Sequence, residues 1–172
     1  MLWAIFMDAV NSPLQQTIAS KHMLAKINFP REALVVSGIY QTAFNGAIKI
    51  VLLLVTLVFM GIHPGWSMIW FPFGVLSLIL AGTALGLLIT PVGALYTDVG
   101  KSLPLLLQFL MYLTPVVFPM PDSGISSTIF KLNPMTPLVV NARNWLTGLP
   151  HEYLAYFFLV NFLILALLLA VW

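Results

Sequence analysis

The stretch Ala47-Ile48-Lys49-Ile50-Val51-Leu52-Leu53-Leu54-Val55-Thr56-Leu57-Val58-Phe59-Met60-Gly61 decides the fold class. From Ile50 to Val55 no polar residue alternates with the apolar ones, which a lipid-facing barrel strand requires. A backbone in lipid must satisfy its N–H and C=O groups within the segment, and that leaves a helix. The apolar run extends back to Ala33, longer than the roughly 20 residues needed to cross the hydrocarbon core. Three further long runs follow at Trp66 to Leu95, Leu103 to Phe118 and Leu154 to Trp172, and a shorter one spans Leu2 to Val10. The run from Leu103 reaches across if its helix starts near Asp98 with Pro104 in the first turns, or if it is partly re-entrant.

Between the third and last long runs lies a segment rich in Pro, Ser and Asn, residues 119–152. Its apolar stretches, Ile125 to Leu132 and Leu138 to Leu146, are too short to span. Asn133-Pro134 breaks between them, and Gly148-Leu149-Pro150 is a helix stop. The expected fold is therefore all-α: a polytopic transmembrane helix bundle with about five membrane segments and short re-entrant outer helices. No internal repeat or linker divides it, so residues 1–172 form one membrane-spanning domain. Met1 to Phe6 resembles the middle of a helix rather than a signal peptide, and Val171-Trp172 stops inside an apolar run, so the domain is expected to be incomplete at both ends.

Composition agrees. Hydrophobic residues make up 60% of the chain and charged ones 7%, whereas soluble domains carry about a quarter charged residues. The net charge of +2 comes from few ionisable groups, so it argues for no nucleic-acid partner and bears on topology instead. Cysteine is absent, which excludes disulfides and thiolate metal sites. Gly100-Lys101-Ser102 resembles the end of a phosphate-binding loop, but Leu95 stands where its first glycine is required. His22, His63 and His151 are far apart, and no hydrolase or zinc-protease signature occurs. The chain is not expected to be an enzyme, nor to hold a cofactor or metal.

The segment Ser20 to Glu32 holds three of the seven Lys and Arg residues, so the positive-inside rule makes it cytoplasmic. Gly61 to Gly65 is then external, Tyr96 to Ser102 with Lys101 internal, and 119–152 external despite Lys131 and Arg143. The same cationic segment interleaves Met23, Leu24, Ile27 and Phe29. It can form a short amphipathic helix that docks on a partner, or one that meets membrane lipid headgroups.

Lys49 lies about 16 residues, or roughly 24 Å of helix rise, beyond the cytoplasmic end of its span. Asn45, Gln41 and Thr42 precede it by one and two turns, and Thr56 follows, so the polar groups share one face. Three readings stand: a polar lining for a translocation path, snorkelling to the outer interface, or an internal ion pair. Gly82-Thr83-Ala84-Leu85-Gly86, extended by Gly93, permits close helix approach. That is a packing feature, with a bearing on function only if the partner is a second copy. Trp66, Trp70, Phe71 and Phe73 suit an interfacial belt. Phe109, Tyr112 and Phe118, near Gln108, either pack or offer flat faces to sugar rings.

The order of these features resembles the type-2 ABC exporter permeases, specifically those for polysaccharides and polyol phosphates such as O-antigen, capsule or teichoic acid chains. Leu2-Trp3-Ala4-Ile5-Phe6 and Leu24-Ala25-Lys26-Ile27-Asn28-Phe29-Pro30-Arg31 carry the likeness. So do Leu105 to Pro119, with Gln108-Phe109-Leu110-Met111-Tyr112-Leu113-Thr114-Pro115 at its centre, and Asn133-Pro134 followed by Arg143. The chain departs from the family at Tyr96-Thr97-Asp98, where Tyr-Arg-Asp is common.

The resemblance implies a homodimeric permease of the bacterial inner membrane, multi-pass, paired with separate ABC ATPase subunits that carry the ATP chemistry. The substrate it implies is a lipid-linked glycan. His22, Lys26, Phe29, Pro30 and Arg31 would form the ATPase-coupling loop, with Tyr96, Asp98 and Lys101 as a second inner loop. Asn45, Lys49, Gln108 and Tyr112 are candidates for the translocation path, and Asn133, Pro134 and Arg143 for an outer gate. Two alternatives share the sequence features: a permease of this architecture for a drug or small lipid, and an ion channel or secondary transporter using Lys49.

Overall fold

The computed structural model describes residues 1–20, 31–59, 61, 65–116, 130, 132–149 and 153–171. Among them the chain is all-helical, with six α-helices and one 3-10 helix: α1 Leu2–Ala19, α2 Arg31–Phe59, the 3-10 helix Trp66–Trp70, α3 Phe71–Leu95, α4 Thr97–Tyr112, α5 Met135–Thr147 and α6 Leu154–Val171. The boundaries follow local chemistry. Pro72 sits in the first turn of α3, where its missing N–H costs nothing. Tyr96 is extended, breaking α3 from α4, and α4 starts at Thr97 with Pro104 inside it, the longer of the two forms expected for that span. Gly148 ends α5 at φ +75, and Leu149 N–H donates to Asn144 O at 2.9 Å, a left-handed cap that favours glycine.

The first helix is longer than its apolar run. It continues past Val10 through Asn11, Ser12, Pro13, Gln15 and Gln16 to Ala19. Several of the polar groups that interrupt the apolar pattern find partners: Asn11 Nδ2 bonds Met7 O at 2.9 Å and Thr17 Oγ1 bonds Pro13 O at 2.8 Å within the helix, and Gln16 bonds Gln41 of α2, whereas the buried Ser12 hydroxyl has no partner among the described residues. Leu2, Trp3, Ile5, Phe6, Ala9, Val10, Pro13 and Leu14 are buried, making α1 central to the bundle.

The glycine motif is spent on α1. A Cβ on Gly82 would stand 2.5 Å from Ala9 Cβ and 2.8 Å from the Phe6 carbonyl oxygen. Gly86 meets Val10 and Pro13, and Gly93 meets Leu14. Residue numbers rise together along both helices, so α1 and α3 run parallel. The close partner is thus a helix of the same chain, and the motif does not by itself argue for a second copy. Helix α2 runs antiparallel to α1, with Gly38 against Ser12 and Gly46 against Ile5.

Helix α5 is buried along most of its length, and packs on α3 where Gly74 meets Ala142 and Trp145. Phe157 of α6 is fully buried between Trp145 at 5.2 Å and Phe73 at 5.8 Å, ring centre to ring centre. Of the aromatic belt expected beside the external turn, Trp66 and Trp70 are exposed, whereas Phe71 is buried and Phe73 joins the Phe157 cluster.

Two helical stretches among the described residues, Val35–Phe59 and Trp66–Leu95, are long and apolar enough to cross a membrane. Leu154–Ala170 is a shorter apolar helix. Apolar side chains cover the outside of the bundle, among them Phe44, Val51, Val55 and Val58 on α2 and Phe162 and Leu169 on α6.

Candidate translocation surface and coupling end

One end of the bundle collects the ends of four helices. Gly93 near the end of α3 and Gly100 in the second turn of α4 both face Leu14 of α1, and the Gln16–Gln41 bond brings the early turns of α2 there. The end of α1 and the early turns of α2, which flank the first segment read from sequence as an inner loop, therefore lie at the same end as the second, Tyr96 to Ser102. His22, Lys26, Phe29 and Pro30 fall outside the described residues, as does Phe118; Arg31 opens α2. Tyr96 is exposed at the break between α3 and α4. Asp98 stands exposed in the first turn of α4, where a carboxylate complements the helix dipole, and Lys101 follows one turn later, also exposed.

The four path candidates divide into two pairs. Asn45 on α2 is exposed, and so is Gln41, whose side chain bonds Gln16 of α1, while Thr42 is buried and bonds Gly38 O at 2.9 Å. Gln108 and Tyr112 lie on the outward face of α4 with Phe109, opposite the buried Leu103 and Leu107. Helix α2 packs on α1 and α3, and α4 packs on the same two helices without touching α2. Within one copy, then, the pairs do not converge.

Lys49 turns inward. Its ammonium forms an ion pair with Asp8 of α1 and donates to the Ala4 carbonyl at 3.4 Å. Helical side chains lean toward their own N-terminus, which on α2 is the end shared with the inner loops. Snorkelling to the opposite interface would run against that lean. The sequence reading did not single out Asp8. Its signal was present, since Asp8 is the one acidic residue inside an apolar run of the chain, and a cation at membrane depth asks for such a partner.

At the other end, Asn133 ties two helices together. Its Nδ2 donates to Leu113 O at 3.2 Å and to Thr114 Oγ1 at 3.0 Å, while its Oδ1 accepts from Met135 N at 3.0 Å. Pro134 is exposed at the start of α5, and Arg143 is half-buried on that helix. Asn133→Ala removes both donated bonds and the acceptor of the Met135 N–H, and leaves the buried Thr114 with one partner fewer. A loss of about 1–2 kcal/mol is expected in thermal unfolding of the detergent-solubilised protein. Asn133→Asp, which keeps the acceptor for the Met135 N–H and loses the donors, should fall between.

Apolar outer surfaces, two helices long and apolar enough to cross a membrane, and a charge pair between two helices are the features a membrane domain requires. The family model described as ABC-2 type transporter matches residues 1–146, and the chain belongs to that family. It is 25% identical over 142 residues to the O-antigen export system permease protein RfbA of Myxococcus xanthus. That alignment covers 81% of this chain and 55% of the relative, so the chain spans about half the length of the curated protein it matches.

Proposed function

We propose that the chain is the permease subunit of an ATP-driven exporter that moves a lipid-linked polysaccharide, of the O-antigen or capsule type, across the bacterial inner membrane. The observation that carries this reading is the similarity to an O-antigen export permease over 142 residues, within a family of transporters matched over residues 1–146. In this reading residues 1–172 contribute about five membrane segments of one domain, with α5 as a short re-entrant outer helix. Two copies assemble with two copies of a separate ABC ATPase.

The segment from His22 to Arg31 receives the ATPase, and Tyr96, Asp98 and Lys101 form the second contact beside it. The ends of α1 and α2 that flank the first segment lie at the same end of the bundle as the start of α4, and this supports that assignment. Asn45 and Lys49 from α2 and Gln108 and Tyr112 from α4 contribute to the path, and since the two pairs stand apart within one copy, the lining draws on both copies. Asn133, Pro134 and Arg143 form the outer gate.

Co-expression with a candidate ATPase tests the central claim. The tagged full-length permease should retain the ATPase through purification, and Lys26→Glu combined with Arg31→Glu should reduce its recovery about tenfold, as charge reversal in an interface does. Proteoliposomes of the complex should translocate a lipid-linked glycan only with ATP. Translocation without nucleotide, or an ATPase recovered equally by the reversed variant, would overturn the reading.

A further inference from the structure

Asp8 has no part in the roles assigned above, yet it is the residue Lys49 reaches. We propose that Asp8 is the positioning residue for Lys49, and that the two charges form a single clasp setting where α2 sits along α1.

Helix α2 has little else to fix it. Most of its surface faces outward, including Tyr40, Phe44, Val51, Val55, Val58 and Phe59. Apolar side chains surrounded by lipid gain little by moving onto protein, so association inside a membrane rests on close approach and polar contacts. Those contacts form one seam along α1: Gly38 with Ser12, Gln41 with Gln16, Gly46 with Ile5, and Lys49 with Asp8 and Ala4. Glycine contacts permit closeness but tolerate sliding. The Lys49 ammonium holds both the side chain of Asp8 and the carbonyl one turn before it, so sliding α2 by a turn, about 5.4 Å, would break both bonds.

Either charge alone at that depth is costly, and the pair offsets most of the cost. The side chains are 29% and 38% exposed for Lys49 and Asp8 respectively. Lys49 is therefore not a free cation, and removing both charges should disturb the seam less than removing one.

The chain lacks cysteine, which makes a direct test clean. A Cβ at Gly38 would lie 3.7 Å from Ser12 Cβ, within the span a disulfide bridges. In membrane vesicles holding the full chain with Ser12→Cys and Gly38→Cys, mild oxidation should close this bridge readily, read as loss of thiol alkylation. Adding Asp8→Asn or Lys49→Met should each slow closure by about tenfold, the scale of a strong coupling between touching groups. The double variant Asp8→Asn with Lys49→Met, and the swapped pair Asp8→Lys with Lys49→Asp, should each recover most of the parental rate, as should Lys49→Arg. Single variants that fail to insert while the double variant inserts support the clasp equally. Single variants that close at the parental rate, or a double variant no better than Lys49→Met, would overturn it. None of these measurements depends on export, so the transport reading and this inference can fail separately.

Discussion

Replacing Gly82 with leucine is expected to force α1 off α3 and abolish the folded bundle. Even the first added carbon meets Ala9 Cβ at 2.5 Å and the Phe6 carbonyl at 2.8 Å, and a helix backbone cannot swing aside as a side chain tip can. Gly82→Ala alone should cost about 3 kcal/mol, the upper end of overpacking penalties. The leucine variant should be recovered as a protease-sensitive chain with no cooperative thermal transition in detergent. Gly100→Ala is the matched control. Its added carbon meets Leu14 Cδ2 at 3.4 Å and the Gly93 carbonyl oxygen at 3.8 Å, both without overlap, and a change within about 0.5 kcal/mol is expected, as for substitutions that displace little.

Phe157→Ala should destabilise the end of the bundle where α5 and α6 meet α3 by about 3 kcal/mol, in the range for truncating a fully buried aromatic. The reason differs from that in a water-soluble core. Lipid is as apolar as the ring, so little is lost by transfer; the cost comes from the vacated space and from contacts with Trp145 and Phe73 that nothing replaces. Phe157→Leu should recover a large part of it. Because Phe157 joins α6 to α3 and α5, limited proteolysis of the alanine variant should cut first near the start of α6.

The spans beginning at Ala33 and Trp66 were legible because a membrane helix announces itself through an unbroken apolar run. The start of α4 at Thr97 and the stop at Gly148 were legible too, since proline, glycine and the residues around them restrict the backbone locally. The second half of α1 was not. Asn11, Ser12, Gln15 and Gln16 end the apolar run at Val10, and the partner of Gln16 lies on another helix, where no pattern within α1 can point to it.

The same limit applies to the candidate site. Lys49 was conspicuous by depth, but its partner Asp8 lies on another helix, and no periodicity within one helix encodes a pairing between two. Gly82 and Gly86 marked a close approach without saying to what; it proved to be α1. For Asn133 the Asn-Pro break was visible, while its grip on Leu113 and Thr114 depends on how α4 and α5 meet. The division of Asn45 and Lys49 from Gln108 and Tyr112 is likewise set by helix arrangement, not by residue type.

The central place of α1 has a consequence for how the protein is made. Interrupted by Asp8, Asn11, Ser12, Pro13, Gln15 and Gln16, α1 is not among the described helices apolar enough to count as a candidate span, yet α3 closes around it. During synthesis its close-fitting partner emerges only after the whole of α2. Asp8 is thus without its counter-charge until Lys49 leaves the ribosome, and the glycine face that seats Ala9 arrives later still. Helix α1 therefore gains the partner of its charge when α2 joins it and its close-fitting glycine face when α3 follows, an order of assembly set by the order of the helices along the chain.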